Sequence, residues 1–491
     1  MKTLLFNPEY HLRQDGNRVI LFSDDEVSEI AQEWFSFIHP YQAMMLSFFN
    51  GQEPYQQEIM ACAEFFRLSY GAMRSVIRRF TGKTQWFTVR SGNHYLNFPR
   101  NVLIETEQGE AQRSDRYSPL DFKYMGDPDY STYRLVFPMT INIELTMRCY
   151  ADCIYCYANK HLQDRSMLSL ADIERFVREA KAGGVFNIDI NGGDVVLHPH
   201  IREILHILVD NGYKPLVSTK TVLEKDFIDY VRSLGQVRLQ LSLDAANPAI
   251  LREMIGVGED YLPRVACSLA YLSEIGMPIN INAVITRHNA DLSEIRRLLD
   301  FVSQYSAVRE LRFNPCGYSL YKSNYAEIVL TAEQMQDVSD AIEQMAPNYP
   351  LLSIKFSSFD KSDEYEDGHK AAQFKHRALC TGGTRNAVLL PNGDMTICEE
   401  LYDHPAFILG NVRHSSIADV WNSDKALKLY RTPIRATSSS ACGKCPELQQ
   451  CRTGCGVCWK MVLMAYGKDN WDYPDPRCPK APPPFHHFYY E

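Results

Sequence analysis

Long apolar runs are missing from this sequence. No stretch approaches the roughly 20 apolar residues that a membrane-spanning helix needs, so no membrane partner is expected. The opening stretch, MKTLLFNPEYHLRQDG, also lacks a secretory pattern. Its apolar run stops at Phe6 and no small-residue cleavage site follows, so a cytoplasmic location is expected. Positive charge is not in excess: 51 Lys and Arg face 60 Asp and Glu, and a net charge of −9 argues against broad nucleic-acid binding. With 45% hydrophobic and 23% charged residues, the composition excludes a coiled coil, a disordered chain and a collagen-like chain. One absence is local. Between Phe65 and Ile104 there is no Asp or Glu, while Arg67, Arg74, Arg78, Arg79, Lys83, Arg90 and Arg100 are present. This is either a solvated face with Arg stems lying along it or a docking surface for an acidic partner segment.

What is abundant is cysteine. There are fourteen, eight of them between Cys380 and Cys478. Without a secretory signal a disulfide framework is not expected, and metal or cluster ligation is the better reading. The 491 residues suffice for about three domains at roughly 150 each.

Three regions separate by pattern. Residues 1–125 mix short β-like runs, such as Asn17 to Phe22, with helical periodicity from Glu26 onward. Residues 137–347 alternate strands with helices. The expected strands are Thr140–Thr146, Asn187–Asn191, Leu216–Lys220, Val237–Asp244, Ile279–Val284 and Glu310–Cys316. Between them lie amphipathic helices such as Ser169–Ala182, with Ser169 as N-cap and Gly183-Gly184 as the stop. The alternation reads as a parallel α/β sheet or barrel. Residues 375–480 are rich in Cys, Gly and Pro, as metal-stapled loops are, and 481–491 form a Pro-aromatic tail.

Buried parallel strands are usually apolar throughout, yet five of these six alternate. Asn142 and Glu144 alternate with Ile141 and Ile143, Asp189 with Ile188 and Ile190, and Arg238, Gln240, Ser242 and Asp244 with Val237, Leu239, Leu241 and Leu243. Asn280 and Asn282, then Arg312 and Asn314, repeat the pattern. If the apolar set packs on helices, the polar set faces a common interior. Unpaired buried polar groups cost about 1–3 kcal/mol each, so such an interior is a ligand cavity in a barrel too short of strands to close. The other reading is an amphipathic sheet with one face in solvent.

The first strand runs directly into Cys149-Tyr-Ala-Asp-Cys153-Ile-Tyr-Cys156. Three thiolates within eight loop residues can hold three corners of a cube-shaped [4Fe–4S] cluster and leave one iron open. Zinc is the alternative, although structural zinc favours four closed ligands and CxxC pairs. The C-terminal ends of barrel strands are also where ligand chemistry sits. On these residues the chain resembles the radical SAM superfamily, whose signature is CxxxCxφC with an aromatic φ, here Tyr155. The resemblance implies a partial (β/α)6 TIM-like barrel in which the open iron is chelated by the amino and carboxylate groups of S-adenosylmethionine. It implies further contacts to that cofactor. Gly192, Gly193 and Asp194 resemble the family's GGE motif at the methionine amino group, with Asp in place of Glu. Ser218 stands where contacts to the methionine moiety are expected, followed by Lys220 in place of the usual Asn. Ser242 and Asp244 occupy the ribose position. Arg252 is the candidate for the methionine carboxylate, although Ile255-Gly256 occupies the place of the family's Arg-Gly pair.

The C-terminal spacing is Cys380-x12-Gly393-x4-Cys398, then Cys442-x2-Cys445-x5-Cys451-x3-Cys455, then Cys478. It resembles the seven-cysteine SPASM extension of radical SAM enzymes, which implies two auxiliary clusters and three [4Fe–4S] clusters in all. By that resemblance Cys442, Cys445, Cys451 and Cys478 hold one cluster, and Cys380, Cys398 and Cys455 the other. Its fourth ligand is Cys458, His376 or a substrate thiolate. A zinc ribbon on Cys442, Cys445, Cys455 and Cys458 is the alternative. Cys62, Cys267 and Cys316 read as small buried hydrophobes.

The N-terminal region is similar to the winged-helix-like α+β domain that binds leader peptides in peptide maturases, through His39-Pro40-Tyr41-Gln42-Ala43 and Leu46–Gly51. Such domains take a leader as an added β-strand. The expectation is an enzyme that modifies a ribosomally made peptide through a 5′-deoxyadenosyl radical, with a flavodoxin or ferredoxin as reductant. Thioether formation from a cysteine sulfur to carbon leads the expected reactions. Carbon–carbon cyclophane formation, epimerisation and sulfatase-maturase-type oxidation of Cys or Ser share the machinery. A non-catalytic zinc scaffold is the rival of another class.

Overall fold

The computed structural model describes residues 2–24, 27–107, 117–158, 166–317, 319–321, 325–357, 374, 380–401, 404–431, 441–448 and 457–485. The chain divides into two compact units, Met1–Val136 and Phe137–Glu491. The first runs past the expected end near residue 125, and the second holds both the barrel and the cysteine-rich region.

The first unit has strands β1 (Lys2–Phe6), β2 (Tyr10–Asp15), β3 (Arg18–Ser23), β4 (Phe35–Ile38), β5 (Phe87–Ser91), β6 (His94–Phe98) and β7 (Leu103–Glu107). Helices α1 (Pro40–Leu46), α2 (Tyr55–Phe65) and α3 (Tyr70–Ile77) lie between β4 and β5. β2, β3 and β4 form an antiparallel sheet, β1 pairs with β7, and β5 with β6 is a hairpin. Three helices followed by a hairpin give the helix-and-wing arrangement of the expected α+β module. The helical periodicity expected from Glu26 onward does not give a helix before Pro40, because Phe35–Ile38 pairs with β3 as a strand; α1 starts at Pro40, which takes the first turn, and His39 and Gln42 complete a reciprocal cap. Buried Glu58 of α2 ties the helix to β1, its carboxylate accepting from the amides of Leu4 (2.9 Å) and Gly51 (3.3 Å). Burial pushes its pKa up to about 7. Arg67, Arg74, Arg78, Arg79 and Arg90 are all exposed.

In the second unit β8 (Thr140–Thr146), β9 (Asn187–Gly192), β10 (Leu216–Thr219), β11 (Arg238–Ser242), β12 (Ile279–Ile285) and β13 (Val308–Pro315) are the six expected strands, parallel and in sequence order. A seventh, β14 (Ser353–Phe356), extends the sheet beyond β13. At the other edge β15 (Asn386–Leu389) pairs in parallel with β8, and β16 (Asp394–Thr396) and β17 (Gly410–Asn411) continue it antiparallel. The cysteine-rich region therefore grows out of the barrel sheet.

The apolar strand positions are buried under the helices. Ile141, Ile143, Ile188, Ile190, Leu239 and Leu241 share one core with α4 (Leu170–Ala182), which contributes Ile173, Phe176, Val177 and Ala180. Ser169 caps α4 by accepting from the Asp172 amide. The polar positions split by strand. Asn142, Asp189, Asn191, Ser218 and Gln240 of β8–β11 line a cavity, as expected. Arg238 at the start of β11 and Asn280 of β12 are exposed, and Glu310 of β13 pairs with Arg312 (3.0 Å) and with Lys355 of β14 (2.5 Å). Ion pairing at the sheet edge, rather than ligand contact, accounts for the alternation in β13. Among the described residues no helix is long and apolar enough to cross a membrane.

Candidate functional site

Two cavities share Tyr157, Gly192, Gly193 and Ser218 as common wall: one lies at the C-terminal ends of the first barrel strands, and the other runs along β8–β11 from Thr140 and Leu216, where β8 and β10 begin. The smaller, about 410 Å³, is lined by Cys149, Cys153 and Cys156 together with Tyr155, Gly192, Gly193, Asp194, Ser218 and Ser242. The larger, about 700 Å³, reaches Cys380 and Cys398.

The cysteine loop is held from two sides. The amides of Asp152 and Ile154 donate to the carbonyls of Ile255 and Met254 at 2.9 Å, so the end of helix α5 (Pro248–Ile255) braces it. On the other side Gly193 and Asp194 donate to Thr146 and Arg148 at 2.6 Å. A Cβ at Gly193 would sit 2.1 Å from the Arg148 carbonyl oxygen, and one at Gly192, whose φ is +125°, 2.6 Å from that of Thr146. These glycines admit the stem of the cysteine loop against β9. Asp194 lines the cavity, but its carboxylate accepts from the Thr219 hydroxyl (2.5 Å), the Thr221 amide (2.9 Å) and hydroxyl (2.8 Å), and the Lys220 amide (3.1 Å). It clamps the ends of β9 and β10 together.

Asp244, 1% exposed, lies behind the cavity wall. It accepts from the Tyr155 hydroxyl, from the Lys220 amine at 3.2 Å and from the Val284 amide at 2.9 Å. Arg252 departs from its expected place. It pairs with Glu259 at 2.6 Å, its side chain is 57% exposed, and it is not part of either cavity wall. An exposed guanidinium on α5 can satisfy itself with a neighbouring carboxylate and water, so nothing draws it inward. The cation that pairs with Asp244 at this cavity is Lys220. Burial alone would lower its amine, but Asp244, with Cys153 behind it, outweighs that and holds the amine above its usual range.

A second ion pair comes from the cysteine-rich region. Lys460, 5% exposed, meets Glu400 at 2.8 Å, and both line the smaller cavity. Glu399, one residue earlier, lines the larger one and accepts from Asn142 Nδ2 at 2.6 Å. Sequence reasoning passed over all three, although a lone Lys in the apolar run Trp459–Tyr466 and two acids directly after Cys398 are visible signals. Cys316 also lines the smaller cavity and is buried, as is Cys62, whereas Cys267 is exposed and is not the buried hydrophobe expected.

Gly393, at φ +89°, makes the β15–β16 turn and is crowded by Asn411, Leu168 and Arg413 at 3.0–3.2 Å. The hairpin it closes returns the chain from Cys380 to Cys398, and Gly382 packs against the Ile397 carbonyl. Burial pushes the Cys398 thiol up, and the neighbouring Cys380 pushes it further. Burial likewise pushes Cys458 up to about 12, again with Cys380 beside it. Asp475 accepts from the Cys458 amide (3.2 Å) and from both guanidinium edges of Arg477 (2.8 and 2.9 Å). Burial pushes the Cys478 thiol up, with Cys442 and Cys445 nearby adding to it, and the Lys480 amine lies 3.4 Å from Cys445. Cys451, Cys455 and His376 lie outside the described residues.

Buried thiols held above their usual range need a cationic centre to ionise them, and iron supplies one. Cys149, Cys153 and Cys156 line one cavity, and three cysteine thiols are the kind of donor set that a cube-shaped cluster takes.

Comparison with known proteins agrees with this chemistry. Residues 143–302 match the radical SAM superfamily, and residues 380–452 match SPASM, an iron–sulfur cluster-binding domain. PqqA peptide cyclase of Xanthomonas oryzae pv. oryzae is 25% identical over 350 residues, covering 70% of this chain and 88% of that protein. Mycofactocin maturase MftC of Mycobacterium tuberculosis is 26% identical over 347 residues, with 70% and 83% covered. Among solved structures, Streptococcus suis SuiB bound to S-adenosylmethionine shares the fold, with a TM-score of 0.61 at 17% identity over 96% of this chain and 99% of that one.

Proposed function

The chain belongs to the radical SAM superfamily with a SPASM iron–sulfur extension, and we propose that this enzyme cross-links residues of a ribosomally made peptide. One observation carries the reading: the cavity lined by Cys149, Cys153 and Cys156 shares a wall with a larger one that ends at Cys380 and Cys398. A peptide segment in the larger cavity lies between the two cysteine sets. Bound at the first set and reduced, S-adenosylmethionine supplies a 5′-deoxyadenosyl radical that removes hydrogen from an unactivated carbon.

The chain's own groups take the remaining tasks. Lys220, in place of Arg252, meets the methionine carboxylate, and Ser218 and Ser242 offer hydroxyls to the methionine and ribose ends. Asp244 positions Lys220 and Tyr155. Three clusters are carried in total: one on Cys149, Cys153 and Cys156, one on Cys380, Cys398 and Cys455, and one on Cys442, Cys445, Cys451 and Cys478. A flavodoxin- or ferredoxin-like protein delivers the electrons. Residues 1–125 bind the leader, with the exposed arginines of α3 and its flanks facing its acidic residues.

The thioether reading requires an open site on the cluster at Cys380 and Cys398. Cys458 beside Cys380 favours a closed one, and with a closed cluster carbon–carbon coupling becomes the preferred reaction. Anaerobic turnover with a peptide encoded next to the gene tests both. A product lighter by two hydrogens with an alkylatable cysteine supports carbon–carbon coupling, and one whose cysteine resists alkylation supports the thioether. An unchanged mass sinks cross-linking and leaves epimerisation. Colourless protein that carries zinc sinks the whole reading, whereas about twelve irons per chain, four for each cluster, support it.

A further inference from the structure

Among the described residues, twelve of the sixteen exposed large hydrophobic side chains belong to Met1–Val136, although it is the smaller unit. Some of them join in one row of rings. Tyr124 stacks on Tyr41, with centroids 5.2 Å apart, and on His39 at 5.6 Å. Tyr41 meets Phe66 edge-on at 6.1 Å, Phe66 meets Phe65 at 5.1 Å, and Phe65 meets Phe48 at 5.4 Å. Tyr41, Phe65 and Tyr124 are 48%, 42% and 43% exposed. Contiguous apolar surface of this kind marks an interaction site, whereas single exposed side chains do not.

Helix α2 ends beside this row in a turn that ordinarily calls for glycine. The Arg67 amide donates to the Glu64 carbonyl at 3.0 Å and the Leu68 amide to that of Ala63 at 2.9 Å, the Schellman pattern, with Arg67 in the left-handed position at φ +52°. A residue with a Cβ is strained there. Nothing inside the fold offsets the strain through the side chain: Arg67 is exposed, and its guanidinium makes no ion pair or hydrogen bond with the described residues. Phe66 and exposed Leu68 flank it. A strained turn that presents an uncommitted cation between apolar groups is built for a partner outside the fold.

The chemistry of that partner follows from the surroundings. Exposed Glu64, Asp121 and Asp127 lie close in sequence to Phe65 and Tyr124, and the Tyr124 hydroxyl donates to Asp127 at 3.1 Å. A nucleic acid, with a phosphate at every step, would meet these carboxylates, whereas a peptide with one acid placed at Arg67 need not. The rings come from α1, the turn after it, the end of α2 and the stretch after β7, and none from a strand. A peptide held by side chains alone finds no ladder of backbone partners and must satisfy its own amides, as a helix does.

We propose that the ring row and Arg67 dock an amphipathic helix of the peptide substrate, its apolar side on the rings and an acidic residue on Arg67. The inference rests on the reading that the enzyme acts on a ribosomally made peptide, and it gives the leader a side-chain site in place of an added strand.

The test uses the full-length, anaerobically reconstituted enzyme and labelled, capped peptides of about fourteen residues, roughly four helical turns. The first probe carries leucine at every third or fourth position with glutamate beside the leucine face. The second has glutamine for glutamate, the third scatters the leucines around the helix, and the fourth is oligothymidine of similar length. By fluorescence anisotropy the first should bind about tenfold or more tighter than the third, and about threefold or more tighter than the second. F65S and Y124A should each weaken the first about fivefold or more. R67G should bind the first and second alike, yet unfold no earlier than wild type on heating, because glycine relieves the left-handed position. An arginine held only for structure would not show that combination. Equal affinity for the first and third probes, no measurable binding of any peptide, a preference for glutamate that survives in R67G, or tighter binding of oligothymidine than of every peptide overturns the proposal. Binding of the first probe through Arg67, with no modification of the peptide encoded next to the gene, overturns the functional reading instead.

Discussion

At the scale of single residues, the cation paired with Asp244 at the smaller cavity is the clearest case of position outranking residue type. Arg252 and Lys220 carry the same charge, but Arg252 faces Glu259 in solvent while Lys220 is enclosed with Asp244. If Lys220 meets the methionine carboxylate, K220M should weaken S-adenosylmethionine binding by roughly 10–100-fold, the worth of one charge-assisted hydrogen bond. R252A should leave it unchanged. The change in the cluster's electron paramagnetic resonance signal on adding the cofactor reads both variants, and a loss confined to R252A would reverse the assignment. Glu58 makes a separate prediction. Its folded pKa of about 7 lies above its ordinary 4.5, so the folded state keeps a proton that the unfolded state releases between those values. Stability should therefore be greatest below about pH 4.5, fall as pH rises towards 7, and level off above it. The span is roughly 3 kcal/mol, at about 1.4 kcal/mol per pH unit. Hydrogen exchange of the β1 amides, corrected for intrinsic rates, should show this fall, and E58Q should flatten it.

At the scale of elements, the cysteine loop and the end of β9 form one construction. G193A places a methyl group 2.1 Å from the Arg148 carbonyl oxygen, a backbone atom that cannot step aside without moving the loop. The expected outcome is loss of about four irons per chain, those of the cluster on Cys149, Cys153 and Cys156, with the remaining iron retained. Iron analysis with Mössbauer spectroscopy checks it, and full iron content in G193A would remove the glycine from this role. Five of the six strands were legible because each carries apolar residues at alternate positions between amphipathic helices, a local pattern that burial enforces. β14 was not, because Ser-Ile-Lys-Phe is too short to show a period. Nor was the pairing of β15 with β8, which joins residues about 246 positions apart, such as Thr140 and Asn386.

At the scale of the whole molecule, the chain parts between Val136 and Phe137, and each unit has its own hydrophobic core. Deleting residues 1–136 should therefore leave S-adenosylmethionine cleavage intact while peptide modification falls by about 100-fold or more, the effective concentration lost with a tethering site. Equal loss of both activities would show that the first unit supports catalysis directly. The sequence by itself determined the chemistry. Thiol spacing, two glycines at the end of a strand and the alternation of polar with apolar residues are short-range patterns, and short-range patterns survive being read in one dimension. The tertiary structure alone decided which charges face the cavities. Lys220, Glu399, Glu400 and Lys460 are brought together from strand ends and a distant helix, whereas Arg252, nearer the cysteine loop in sequence than Glu399 or Lys460, is turned away. Whether a charge is buried beside a partner or left in water depends on the packing of remote elements, and no local pattern encodes that.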